Sequence, residues 1–183
     1  MNLEKHLELK GKHAFLSPSN YHWIRWPKDK LIKNVKDESA KELGTRLHAL
    51  AEEHINLKWK ASRTKKTVDH FINDAIGYGM TPEQVLYYDE YCFGTADALS
   101  FKDNLLRIHD LKTGETKASF DQLLIYAALF CLQYKVNPID ISIELRIYQY
   151  DDVAIKIPEP EEVSEIMDII VENCKIIHEV INE

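Results

Sequence analysis

Apolar residues recur at helical spacing early in the chain, at strand spacing in its middle, and at both spacings toward its end. Ser17-Pro18 opens a short helix over residues 17–26, with Ser17 as N-cap and Pro18 at the first helical position. Leu43, Leu47, Leu50 and Ile55 form a stripe that predicts a longer helix from about Glu38 to Lys60. A third helix is expected from Thr67 to Tyr78, ending at Gly77 and Gly79, and Thr81-Pro82-Glu83 reads as a turn. Three strands follow: Val85–Phe93, residues 95–101, and residues 105–112 between Lys102-Asp103-Asn104 and Thr113-Gly114. Leu123, Leu124, Ala127, Ala128 and Cys131 mark the next helix, capped by Ser119 or Asp121 and broken at Asn137-Pro138. Ile141–Tyr148 alternates as a strand with one buried face, and Val153–Ile157 is a short edge strand. An acidic helix begins at Pro158 to Pro160, its apolar face formed by Val163, Ile166, Ile169, Ile170, Ile176 and Ile177. Strands flanked by helices in this order predict an α/β layer architecture.

Composition adds bounds. The 183 residues suit one domain, with 45% hydrophobic and 29% charged residues. Its parts are a helical stretch over 1–80, a core over 85–135, and strands plus the acidic helix over 136–183. No apolar run approaches the roughly 18 residues of a membrane span, and Met1 to Lys12 is charged where a signal peptide would be apolar. A cytoplasmic protein is expected. Cys92, Cys131 and Cys174 are scattered in apolar contexts and read as buried free thiols. The net charge is −7, but residues 151–183 hold ten acidic and two basic side chains, which leaves +1 for the first 150. Two cationic clusters stand out: Arg25, Lys28, Lys30, Lys33 and Lys36, and Lys58, Lys60, Arg63, Lys65 and Lys66. Each reads either as a solvated face or as a track for a phosphate backbone. Tyr21, Trp23 and Trp26 suit core packing or base stacking.

The chemistry concentrates between Gly94 and Tyr126. Residues two apart on a strand share a face, so Asp110 and Lys112 point the same way, with Leu106 and Ile108 beneath them. An antiparallel hairpin with residues 95–101 brings Asp97 across from the Asp110 end. Two carboxylates with an open position suit Mg²⁺ or Mn²⁺. Such a cation lowers the pKa of a water and neutralises charge on a phosphate, and a neighbouring lysine can orient or deprotonate that water. The bland counterpart is a surface hairpin with an Asp–Lys pair. Glu90, in the expected first strand, is a further candidate carboxylate. Gln122 and Tyr126 share a helix face four residues apart. The hydroxyl of Tyr126 suits either a brace for the lysine, a contact to DNA, or a satisfied core position.

The ordered set G-x-x-D, D-x-K-T-G and Q-x-x-x-Y resembles the PD-(D/E)XK nuclease superfamily, and within it the RecB-type nuclease domains and their phage and CRISPR-associated relatives. The resemblance covers roughly residues 15 to 135. It implies a restriction-endonuclease-like fold, a central mixed β-sheet flanked by helices. It further implies that Asp97 and Asp110 bind the metal, that Lys112 serves the attacking water, and that Gln122 and Tyr126 complete the catalytic set. Gly44-Thr45-Arg46-Leu47-His48 is similar to the upstream helix that adds a metal-binding histidine in this branch, here His48. The Leu111 carbonyl is a possible fourth ligand. Gly44 costs up to about 1 kcal/mol within a helix, which a close approach of that helix to the sheet or a phosphate would explain. Some relatives hold an iron–sulfur cluster through four cysteines; with three, this chain is expected to hold none.

The expectation is a divalent-metal-dependent deoxyribonuclease. By likeness to processing members it is an exonuclease in recombination, repair or phage DNA processing. It would work with a recombination or replication partner, or as a homo-oligomer. A catalytically inactive nucleic-acid-binding or scaffold protein on the same fold is the main alternative. A small-molecule hydrolase, which would need a closed apolar pocket, is another.

Overall fold

The computed structural model describes residues 14–181; the charged stretch from Met1 to Lys12 lies outside them. The chain divides into two compact units, Met1–Glu42 and Leu43–Glu183. The first unit holds a 3₁₀ helix over Pro18–Arg25, where the Ser17 hydroxyl accepts from the Ser19 N–H at 3.3 Å as the expected N-cap. Trp26 lies beneath the Lys30 ammonium, 5.5 Å from ring centroid to Nζ.

Helix α1 runs over Lys28–Asn56, starting ten residues before the Glu38 predicted from its stripe. Pro27 is the physical start signal, since its carbonyl accepts from the Leu31 N–H at 3.1 Å. Helix α2 spans Thr67–Gly77. Five strands follow: β1 over Thr81–Asp89, β2 over Cys92–Lys102, β3 over Leu105–Leu111, β4 over Ser142–Gln149 and β5 over Asp152–Lys156. Helix α3 covers Asp121–Tyr134 between β3 and β4, and α4 covers Pro160–Ile181. Neither expected cap acts on α3: its N-cap is Phe120, and Ser119 donates to Asp121 instead.

The sheet is mixed and ordered β1-β2-β3-β4-β5. All pairs are antiparallel except β3–β4, which α3 joins as a crossover. The β2–β3 turn has two residues rather than three: Asp103 and Asn104 hold φ +52° and +57°, and Lys102 pairs with Leu105. One face of the sheet packs α3 and α4 through Leu106, Ile108, Leu123, Ala127, Leu145 and Val163. The other face packs α2 and the end of α1 through Ala51, Ile55, Phe71, Ile72, Leu111 and Tyr148. Among the described residues no helix is long and apolar enough to cross a membrane.

Strand β1 starts earlier than the sequence indicates. Thr81 and Pro82 pair with Leu99 and Ala98, so the expected turn at Thr81-Pro82-Glu83 is the first stretch of an edge strand, a position that tolerates proline. The ladder passes from Pro82↔Ala98 to Gln84↔Ala96 and omits the pair between them, Glu83 and Asp97. Glu83 sits there with φ +47°, a conformation costing a non-glycine residue about 1–2 kcal/mol. The strands change face at this step: Ala96 packs toward α3, whereas Ala98 packs toward α2.

Candidate metal centre

The irregular step between β1 and β2 gathers three ligand-type side chains. His48 from α1, Glu83 from β1 and Asp97 from β2 place one donor atom each within 4.8 Å of one another. His48 Nδ1 lies 3.4 Å from Asp97 Oδ1. The other Asp97 oxygen accepts from the Leu111 backbone N–H at 2.7 Å, which ties β2 to the end of β3. Leu111 thus enters the site through its N–H.

Asp110 follows from strand alternation. It faces α3 above Ile108, is 2% exposed, and lies outside the close group of three. Its Oδ1 meets Lys112 Nζ at 3.1 Å, while Oδ2 is buried without a hydrogen-bond partner. A buried carboxylate oxygen left in that condition costs free energy unless a cation or donor reaches it.

From Lys112 a hydrogen-bonded chain runs into α3. Lys112 Nζ donates to Gln122 Oε1 at 2.7 Å, Gln122 Nε2 donates to the Tyr126 hydroxyl at 3.2 Å, and that hydroxyl donates to the Thr95 carbonyl at 2.6 Å. Tyr126 is therefore a satisfied, half-buried tyrosine that braces the lysine through Gln122.

Two glycines permit this closeness. A Cβ on Gly44 would stand 2.7 Å from Thr113 Oγ1, and one on Gly94 would stand 2.9 Å from Tyr126 Cε1. The first lets α1 bring His48 against the loop after β3, the close approach expected of a mid-helix glycine. The second lets the Tyr126 ring lie on β2.

The electrostatics are those of a crowded anionic centre. The hydrogen bond that the His48 imidazole donates to Asp97 raises the His48 pKa above 6.5 against the opposing effect of burial. Burial and then the Asp97 charge raise the Glu83 carboxyl. The same two causes raise Asp110, with Lys112 pulling the other way. His48, Glu83 and Asp97 are a group that could hold a metal ion, and the Asp110 oxygen without a partner lies outside that group.

Of the sequence-predicted residues, His48 and Asp97 belong to the close group, Leu111 reaches Asp97 through its N–H, and Asp110, Lys112, Gln122 and Tyr126 form a separate connected chain. The carboxylate missed by sequence reasoning is Glu83. Glu90, weighed in its place, sits exposed in the β1–β2 turn. Periodicity carried no signal for Glu83, because a residue with a left-handed backbone interrupts the alternation that would reveal its face. No family model, curated protein or solved structure matches the chain in comparisons with all three.

Proposed function

We propose that the protein is a divalent-metal-dependent deoxyribonuclease of the PD-(D/E)XK, RecB-like kind, acting in the cytoplasm and hydrolysing phosphodiester bonds from DNA ends. The observation that carries this reading is the fixed position of Lys112. Its ammonium is held between Asp110 Oδ1 and Gln122 Oε1, beside a centre of histidine and carboxylates. An ammonium has three N–H donors, so two acceptors leave one to meet an attacking water or a phosphate oxygen. Lys112 thereby acts as a positioning donor. Asp110 sets its place from one side, and the Gln122–Tyr126–Thr95 chain from the other.

His48, Glu83, Asp97 and Asp110 would hold the cation. When bound, it supplies an acidified water and offsets the charge that builds on the phosphate. The Asp97 contact to the Leu111 N–H ties β2 to the end of β3 beside these residues.

DNA as substrate is supported by the surface beside the centre. A cavity of about 420 Å³ touches Lys112 and is lined by Leu47, Val68, Leu111 and Tyr150, with Lys66 also contributing. Lys58, Lys60, Arg63, Lys65 and Lys66 are all exposed on the loop leading to α2, a track for a phosphate chain. Trp59 on the same loop is 67% exposed and offers a stacking face. The uncovered Val85, Tyr87 and Phe93 of β1 and β2 are a surface for a recombination or replication partner or a second copy.

The test uses end-labelled linear and circular DNA, single- and double-stranded, with Mg²⁺, Mn²⁺ or chelator. Linear DNA should be degraded only with metal, and Lys112→Ala should abolish cleavage while DNA binding persists. Cleavage in chelator, or an active Lys112→Ala enzyme, would discard the mechanism. Circles cut as fast as ends would discard the exonuclease mode. Metal-independent DNA binding without any cleavage would favour the inactive scaffold.

A further inference from the structure

The tip of the β1–β2 hairpin and the far half of α4 carry four metal-ligand side chains that the nuclease centre does not use. Asp89 and Cys92 flank the two-residue turn Glu90-Tyr91 and are paired across the ladder, so their side chains share a face. Cys174 and His178 are four apart on α4 and share a helix face. The two pairs meet. His178 Nε2 lies 2.9 Å from Asp89 Oδ2, and Cys92 packs against the core cluster that contains Cys174. Both cysteines are free.

The spacing has a chemical meaning. D-x-x-C at a hairpin tip and C-x-x-x-H on a helix repeat the ligand intervals of tetrahedral zinc sites, in which a short turn supplies two ligands and a helix two more. Thiolates select Zn²⁺ over Mg²⁺ or Mn²⁺. The location gives such an ion a task. The buried residues of α4 are Val163, Ile170 and Cys174, and beyond Cys174 the helix exposes Ile176, Val180 and Ile181. α4 packs chiefly on α3, so this cluster is what fastens its last turns to the sheet.

We infer that Asp89, Cys92, Cys174 and His178 form a structural Zn²⁺ site that clamps the β1–β2 hairpin to α4. The donors stand as two contacting pairs rather than one closed shell. Gathering them at the 2.0–2.3 Å bond lengths typical of zinc takes side-chain rotation, for which the partly exposed Asp89 and His178 have room. Binding converts both thiols to thiolates and releases two protons to solvent.

The test is metal content and Co²⁺ substitution of the full, reduced chain. One equivalent of Co²⁺ should give a thiolate-to-cobalt charge-transfer band. The His48 centre contains no cysteine and cannot produce it. Zn²⁺ at about a hundred times its dissociation constant should raise Tm by about 5–10 °C. Cys92→Ser should cut the intensity of the band by about half or more, since only Cys174 then supplies a thiolate, and Cys92→Ser and His178→Gln should each remove most of the Tm rise. These two residues are only partly buried, so both variants are informative even where Cys174→Ser fails to fold. A Co²⁺ spectrum without the thiolate band, a band of undiminished intensity in Cys92→Ser, or an equal zinc-induced Tm rise in the wild type and both variants would overturn the inference. So would a chain that closes a Cys92–Cys174 disulfide in preference to taking up zinc.

Discussion

Replacing Lys112 by Met keeps most of the side-chain stem and removes the charge that faces Asp110. The Asp110 side chain is 3% exposed and that of Lys112 is 31% exposed. Removing one partner of a buried ion pair costs about 3–5 kcal/mol. Partial exposure of Lys112 means that water already screens the pair, which brings the expected loss to about 2 kcal/mol. For a chain of this size that lowers Tm by about 4–8 °C. The assay is thermal unfolding of four proteins in chelator: wild type, Lys112→Met, Asp110→Asn and the double variant. The loss should be large in Lys112→Met and small when Asp110→Asn is already present, because no charge is then left buried. Saturating Mn²⁺ should shrink the Lys112→Met loss, since a cation near Asp110 replaces the ammonium. A Lys112→Met protein as stable as wild type in chelator, or a loss that Asp110→Asn leaves unchanged, would refute the reasoning.

Glu83→Gln should stabilise the protein in chelator and weaken Mn²⁺ binding, because burial and Asp97 penalise the charged carboxyl in the folded state; Glu90→Gln should do neither, and calorimetric titration with paired melts reads both effects. The raised His48 pKa sets a sign for pH: its contribution is fully present below about 6.5 and fades as pH rises through the higher folded value. In chelator, His48→Gln should therefore cost more at pH 6 than at pH 9, while Mn²⁺ affinity of the wild type should fall at acid pH as protons compete for the imidazole. Gly44→Ala should lack the usual gain of about 1 kcal/mol for a helix interior, since its Cβ meets Thr113 Oγ1; the gain should return in a Thr113→Ala background, measured by urea unfolding. Gly94→Ala should displace the Tyr126 ring and, through Gln122, reduce DNA cleavage by a larger factor than its effect on folding stability explains.

Much of this centre was legible along the chain because its parts are local. Alternation alone put Asp110 and Lys112 on one face, the hairpin put Asp97 across from them, and helical spacing put Gln122 beside Tyr126. Gly44 signalled a close approach before its neighbour, Thr113, was known. Other features depend on distances that periodicity does not encode. Glu83 joins the centre through a left-handed residue and an omitted ladder pair, so the pattern that locates a strand side chain fails there. Pro82 disguised the beginning of an edge strand as a turn. The start of α1 was hidden because Lys28 to Asp37 is mostly charged, and its stripe becomes clear only near Leu43. The contacts of Tyr126 emerged only from its partners, since a tyrosine hydroxyl bound to a backbone carbonyl reads identically in sequence whether or not a lysine such as Lys112 lies two hydrogen bonds away.

The most direct measurement is anomalous diffraction at the manganese edge from crystals soaked in Mn²⁺. The account predicts a peak between the His48 imidazole and the carboxylates of Glu83 and Asp97, on the side toward Asp110. Full Mn²⁺ saturation with no peak among those side chains, or with manganese bound only elsewhere, would contradict it.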